Sequence, residues 1–137
     1  MWASTYLEEF MTPEERNAVV AELLANQLPD GGWSAASLGN WKRMDGQKQD
    51  PATSDGYGTG FRVFLLRRAG VAANDPAVQK GIAWLKTNQR ESGRWFTRSL
   101  TNDENKHYLT HIGSAFAVMA IVSCDEAGCQ PKASAAR

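Results

Sequence analysis

The sequence predicts an all-α fold of about five helices that alternate between an outer and an inner layer. Amphipathic patterns with helical spacing, separated by turn residues, run along the chain. One pattern of Leu, Gln, Gly and Trp occurs twice, and a pattern of Gly, a hydroxyl residue and Phe begins two further helices. Recurring patterns at a fixed offset are typical of stacked helical units, so we expect one helical-repeat domain.

The first repeated pattern lies where two of the predicted helices end. Four positions recur at one constant offset along the chain: Leu23, Gln27, Gly31 and Trp33 match Leu85, Gln89, Gly93 and Trp95. In the second copy, Val78, Ile82 and Leu85 form one apolar stripe that Gln89 ends. An amide there needs hydrogen-bond partners. We therefore expect each Gln to bond backbone groups at a neighbouring helix end and to pack on its Trp.

The helix boundaries follow from local start and stop signals. Thr12 with Glu15 forms a capping box around Pro13, and Asn74-Asp75-Pro76 starts the helix that carries the complete motif. Gly70 is expected to end the predicted helix 57–69. The five expected helices cover residues 2–11, 12–27, 57–69, 76–89 and 107–124.

The second repeated pattern marks the inner helices. Gly58–Val63 aligns position by position with Gly113–Val118, and the small residues of the pattern allow close helix packing. The centre of the last helix, Ala115–Val122, is apolar on every side, so we expect protein around it. The predicted inner wall consists of Phe61, Val63, Phe64, Leu65, Leu66, Phe116, Val118, Met119 and Ile121.

Two polar connections, 34–56 and 96–106, precede the inner helices and therefore lie at one end of the layer. Part of the first is expected to pack down, because it contains the large apolar residues Leu38, Trp41 and Met44. Helix N-termini at that end present free N–H groups and partial positive charge. We expect a ligand mouth there, formed by Asp55, Tyr57, Arg98, His107, Tyr108 and His111.

Residues 80–95 contain a longer pattern: basic, Gly81, two residues, Trp84, Leu, three residues, Gln, three residues, Gly, one residue, Trp. This pattern resembles the QW motif of squalene and hopene cyclases and their prenyltransferase-type relatives, and residues 22–33 match its second half. In that family the motif ties the outer helices of an α/α toroid to their neighbours. The resemblance implies a partial toroid, a segment of a larger member over residues 1–129. Residues 130–137 are expected to form a flexible tail.

The resemblance also implies a function. The parent protein would be a terpene cyclase or mutase, an isomerase, whose inner wall binds an apolar isoprenoid-like molecule and needs no cofactor. The Asp-x-Asp-Asp motif that protonates the alkene in such cyclases is absent from the sequence. Asp45, Asp50 and Asp55 lie five residues apart and do not form it. The chain alone is therefore expected to be inactive. The alternative is a non-catalytic helical-repeat module for protein association.

A metal site is not predicted. The toroid-sharing protein prenyltransferases hold zinc through Asp, Cys and His, and residues 107–111 loosely resemble the stretch with the His. His107 and His111 share a helix face, but two imidazoles are not a site, and Gly56 and Tyr57 supply no thiolate beside Asp55. Cys124 and Cys129 are expected as two thiols, with a local disulfide as the alternative.

Charge is balanced, with 15 Lys and Arg against 15 Asp and Glu, which argues against a nucleic-acid partner. No apolar run of about 20 residues predicts a transmembrane segment, and the compartment is unassigned. The stretch 1–30 is acidic and the stretch 42–98 is basic. These are either solvated helix faces or surfaces that meet further repeats of a parent protein or a second copy. Because five helices leave apolar edges open, the chain alone is expected to self-associate or to be marginally folded.

Overall fold

The computed structural model describes residues 11–103 and 107–125. These residues form four α-helices and one short 3-10 helix, with no strand among them, which confirms the all-α fold. The predicted helix over residues 2–11 and the predicted tail over residues 130–137 lie outside the described ranges. The α-helices are α1 (Pro13–Ala25), α2 (Gly56–Arg68), α3 (Pro76–Thr87) and α4 (Tyr108–Asp125), and the 3-10 helix Ala35–Leu38 lies between α1 and α2.

The helix starts use the predicted caps. The Thr12 hydroxyl accepts a hydrogen bond from the Glu15 amide at 3.2 Å, and the Glu15 carboxylate accepts one from the Thr12 amide at 2.8 Å. At α3, the Asp75 carboxylate accepts from the Ala77 amide at 2.8 Å. Gly70 has φ +92° just after α2, a left-handed conformation that favours glycine. The capping bonds fix the starts of α1 and α3, and the left-handed conformation of Gly70 marks the end of α2.

The inner layer consists of α2 and α4, which pack closely along their length. A Cβ atom at Gly60 would lie 2.5 Å from the backbone nitrogen of Ala117, and one at Gly113 would lie 2.8 Å from that of Tyr57. Both glycines therefore allow a backbone approach that any side chain would prevent. The outer helices α1 and α3 both contact α2. The buried core between the layers includes Leu23, Trp33, Val63, Leu66, Val78, Ile82, Leu85, Trp95, Ala117 and Ala120.

Two expectations about packing were only partly right: the first connection does pack down, at Ser34, Ala35 and Arg43, but not through Trp41 and Met44, and the centre of α4 is buried at Ala117 and Ala120 only. In the connection before α2, Trp41 is 49 % and Met44 82 % exposed, whereas Arg43 is buried. The reason is that Arg43 finds polar partners in the second connection, so it can be buried without losing hydrogen bonds. On α4, Val118 and Val122 are exposed rather than surrounded by protein. One face of α4 packs on α2, and the opposite face meets solvent.

By length and composition, α4 also qualifies as a candidate membrane span, with 18 residues of mean hydropathy 1.3. Core helices of other proteins pass the same criteria, and α4 packs against α2 along one face. The absence of a transmembrane segment therefore stays a prediction from the sequence.

Candidate functional site: an apolar groove at the starts of the inner helices

The two copies of the Gln–Gly–Trp turn have the same hydrogen bonds. The indole Nε1 of Trp33 donates to the carbonyl oxygen of Leu23 at 2.8 Å, and the Gln27 amide donates to that of Gly31 at 2.8 Å. The second copy repeats both bonds: its indole bond measures 2.7 Å and its amide bond 3.0 Å. The two turns are therefore one structure built twice, and each closes the end of an outer helix.

The structure adds to the motif a pair of asparagines that the sequence pattern did not include. The side-chain amide of Asn26 donates to the Glu22 carbonyl at 2.9 Å, and that of Asn88 donates to the Trp84 carbonyl at 2.9 Å. Both asparagines are C-caps, of α1 and α3 respectively. The constant offset between the two motif copies was the available signal, since it joins these two positions as well.

Each turn is also bonded to the inner helix that follows it. The backbone amide of Trp33 donates to the Thr59 hydroxyl at 2.9 Å, and that of Trp95 donates to the Ser114 hydroxyl at 3.1 Å. Thr59 and Ser114 are matching positions of the second repeated pattern. The hydroxyl residue of the inner-helix pattern thus accepts a hydrogen bond from the backbone amide of the Trp of the outer-helix pattern.

Asp55, a predicted mouth residue, acts as the N-cap of α2. One carboxylate oxygen accepts from the Gly58 amide at 2.8 Å and from the Thr97 hydroxyl at 3.0 Å, and the other accepts from the Ala35 amide at 2.6 Å. Burial raises the pKa of Asp55, and these hydrogen bonds oppose that shift. The residue joins both polar connections to the start of α2, which is a structural role.

Arg98, a second predicted mouth residue, lies in an ionic cluster with Asp103 and Arg43. Asp103 accepts hydrogen bonds from Arg98 at 3.1 Å and from Arg43 at 2.9 Å. These two guanidinium groups, that of Arg98 first, lower the pKa of Asp103 to about 2. Arg43 also contacts Asp45 and the carbonyl of Ser99. The cluster fastens the first polar connection to the second.

Two other mouth residues, Tyr57 and Tyr108, line an apolar groove of about 710 Å³. The groove lies where α2 and α4 begin, and the two connections form its other wall. The Tyr57 ring stacks on Phe61 at 5.5 Å, and Phe116 meets Phe61 edge-on at 4.8 Å. No charged side chain lines this groove among the described residues: the lining is Leu38, Trp41, Tyr57, Phe61, Ser99, Leu100, Thr101, Tyr108 and Leu109.

The predicted mouth therefore divides into three parts. Tyr57 and Tyr108 line the apolar groove, whereas Asp55 and Arg98 line a smaller cavity of about 170 Å³. His107 and His111 are exposed and line neither. Within residues 11–103 and 107–125, no group of three or more potential metal ligands comes together. Cys124 is half-buried and Cys129 lies outside the described residues, so the disulfide alternative stays open.

The fold and the turns define a class of protein: a helical-repeat protein in which Gln–Gly–Trp turns fix outer helices to an inner layer. The profile of the family described as squalene-hopene cyclase C-terminal domain matches residues 5–121. The chain belongs to this family.

The curated relatives agree with this assignment. The chain is 29 % identical over 129 residues to a squalene-hopene cyclase of Schizosaccharomyces japonicus, covering 74 % of this chain and 19 % of the relative. It is 33 % identical over 85 residues to that of Zymomonas mobilis, covering 62 % and 11 %. A probable squalene-hopene cyclase of Sinorhizobium fredii is 31 % identical over 94 residues, covering 69 % and 13 %.

The chain thus spans less than a fifth of the length of these relatives. It is a cyclase-like segment. No solved structure matches it.

Proposed function

We propose that this segment supplies part of the binding wall for an apolar, isoprenoid-like ligand in a squalene-hopene-cyclase-like protein. The observation that carries the proposal is the uncharged groove of about 710 Å³ at the starts of α2 and α4. Its volume lies in the range of small-molecule sites, roughly 300–1,000 Å³. Transfer of a hydrocarbon from water into such a groove is favourable by roughly 25 cal/mol per Å² of buried apolar surface.

The aromatic rings favour an unsaturated ligand. Tyr57, Phe61 and Phe116 form a contiguous cluster, with ring centroids 4.8–5.8 Å apart. The quadrupole of an aromatic ring gives its face a partial negative charge, which attracts cationic carbon. An isoprenoid chain, with double bonds and methyl branches, fits this lining better than a charged or strongly polar ligand.

Protonation of an alkene requires an acid that this groove does not supply among its described residues. It is lined by no carboxylate, and Asp55 caps α2 instead of facing the groove. If the parent protein is a terpene cyclase or mutase, the proton donor belongs to another part of it. We therefore expect the chain alone to bind without turnover of squalene.

Binding is tested with farnesol as the probe and the full chain as the protein. Trp41 lines the groove, so we expect farnesol to change the tryptophan emission and to do so less in a Trp41→Phe variant. Tyr108→Ser removes a ring from the groove, and we expect about tenfold weaker binding, equivalent to about 1.4 kcal/mol.

Val122→Ser is the matched control, since Val122 is an exposed apolar residue of the same helix that does not line the groove. Its affinity for farnesol is expected to equal that of the unchanged chain. Dodecanol, a straight chain of similar length, is expected to bind more weakly than farnesol. Failure of the chain to bind farnesol, or equal losses in Tyr108→Ser and Val122→Ser, would refute the groove as the site.

A second candidate function is a non-catalytic module for protein association. The exposed apolar face on the C-terminal half of α4 favours it. Farnesol binding separates the two, because an association module has no need of a ligand in the groove.

A further inference from the structure

The groove at the starts of the inner helices has a polar end. Tyr57 and Tyr108 lie in the first turns of α2 and α4, whereas Phe61 lies one turn further along α2. Because helical side chains lean toward the N-terminus, both phenols belong to the end of the groove beside the two connections. Ser99 and Thr101 of the second connection line the groove as well. Four hydroxyl groups therefore line a groove whose other lining residues are Leu, Phe and Trp.

The hydroxyl pair of the second connection has one proton left to donate. The Ser99 oxygen accepts from the backbone amides of Thr101 at 3.3 Å and Asn102 at 3.4 Å. A hydroxyl oxygen has two lone pairs, so these two bonds use its accepting capacity. The 3.2 Å contact between the two hydroxyls therefore uses the Ser99 proton, with Thr101 as the acceptor. Within residues 11–103 and 107–125 no group accepts the Thr101 proton, which stays available to a ligand.

The Tyr57 phenol is a second unused donor. Its ring is half-buried and stacks on Phe61, and its hydroxyl has no hydrogen-bond partner in the part of the chain that the structure describes. Burial, the charge of Asp55 and the nearby Tyr108 phenol raise the pKa of Tyr57. The hydroxyl therefore keeps its proton at neutral pH. A half-buried donor without a partner is unfavourable, and a ligand oxygen would relieve this.

The charge near this end disfavours an anionic head group. No Lys or Arg side chain lines the groove among the described residues. The Asp55 carboxylate caps α2 one residue before Tyr57, so a negative charge is already present there. A diphosphate would lose its hydration without a cation to balance it. A pure hydrocarbon, by contrast, would leave the donors of Tyr57 and Thr101 without an acceptor.

We propose that the groove binds an isoprenoid alcohol, whose hydroxyl accepts hydrogen bonds from Tyr57 and Thr101. The hydrocarbon chain then lies along Phe61 and Leu38. This inference rests on the proposed function and narrows its ligand class. The two lone pairs of a neutral hydroxyl match the two unused donors, and the Tyr108 oxygen can accept the proton of the ligand. Such a head group satisfies the polar end without bringing a charge into the groove.

The test measures the binding of three probes with the same chain length to the full protein: farnesol, farnesene and farnesyl diphosphate. The tryptophan emission reports binding, since Trp41 lines the groove. Farnesyl diphosphate is expected to bind at least tenfold more weakly than farnesol. The affinities of farnesol and farnesene are not compared directly, because the hydrocarbon leaves water more readily. The comparison is made instead through variants that remove one hydroxyl.

Tyr57→Phe and Thr101→Val each remove a donor and keep most of the side-chain shape. Each is expected to weaken farnesol binding about fivefold, as for the loss of one neutral hydrogen bond. Farnesene is expected to bind both variants at least as tightly as the unchanged chain, which also shows that the groove is still folded. Thr87→Val is the matched control, since Thr87 is an exposed threonine at the end of α3 that does not line the groove. Its affinity for farnesol is expected to stay unchanged.

The outcomes separate this inference from the proposed function. Farnesol binding that is unchanged in both variants, or reduced to the same extent as farnesene binding, would overturn the alcohol as the ligand and leave the groove as a hydrocarbon site. Farnesyl diphosphate that binds as tightly as farnesol would overturn the preference for a neutral head group. If none of the three probes binds, the proposed function fails and this inference fails with it.

Discussion

The indole nitrogen of Trp95 donates a 2.7 Å hydrogen bond to the carbonyl oxygen of Leu85, ten residues earlier in the chain. Leu85 lies in the last turn of α3, where carbonyl groups lack partners within the helix. Trp95 therefore supplies a buried ring to the core and a donor to a helix end. Trp33 does the same for Leu23 at the end of α1.

Replacement of Trp95 by alanine is expected to lower the free energy of unfolding by about 3–5 kcal/mol, as for other buried aromatic residues. Trp95→Phe keeps most of the ring but leaves the Leu85 carbonyl without its donor, which costs about 1–3 kcal/mol. Trp41→Ala is the control, because its ring is half exposed. Urea unfolding measures all three, and equal losses for Trp95→Ala and Trp41→Ala would contradict the anchoring role.

Gly60→Ala is expected to destabilise the chain by about 1–3 kcal/mol or more through overpacking. The added methyl would lie 2.5 Å from the Ala117 nitrogen, so α2 and α4 would have to separate. Ala115 occupies the matching position on α4 and is exposed. Ala115→Ser should change the stability by less than about 0.5 kcal/mol. Thermal unfolding of both variants tests the contact, and a neutral Gly60→Ala would rule out the close approach.

Asp55→Ala is expected to cost about 2–4 kcal/mol, more than loss of an ordinary cap. The carboxylate accepts from Gly58, Ala35 and Thr97, so three donors lose their acceptor together. Asp75→Ala provides the comparison, since Asp75 caps α3 alone and its loss should cost about 1 kcal/mol. If chemical denaturation shows equal losses, Asp55 does not join the connections.

The ionic cluster of Asp103, Arg98 and Arg43 is expected to weaken only in strong acid. The pKa of Asp103 is lowered from 3.8 to about 2, so its contribution is complete above about pH 4 and is lost as the pH falls through about 2. NMR titration of the carboxyl carbon measures this directly. Arg98→Gln should raise the pKa toward 3.8, while Arg94→Gln, a change at an exposed arginine of the neighbouring turn, should leave it unchanged. A titration of Asp103 near 3.8 in the unchanged chain would disprove the cluster.

Much of this structure could be predicted because it depends on neighbours in sequence. Thr12 with Glu15 and Asp75 with Ala77 form bonds across two or three residues, so the helix starts follow from local chemistry. The two turns are also local, since each indole reaches a carbonyl only ten residues away. The all-α fold, the helix order and the repeat were therefore determined by the sequence alone.

Contacts between distant residues were decided only by the tertiary structure. Arg43 is buried because the Ser99 carbonyl and Asp103, more than fifty residues later, accept its hydrogen bonds. The predicted mouth divides because helix packing turns Tyr57 toward the groove and leaves Asp55 as a cap.

Gln27 and Gln89 belong to the same local pattern, yet the first reaches α3 and the second is exposed. A local pattern specifies the turn and its internal bonds. Whether the surface of that turn is covered depends on the helix that packs against it, which no neighbouring residue in the sequence can determine.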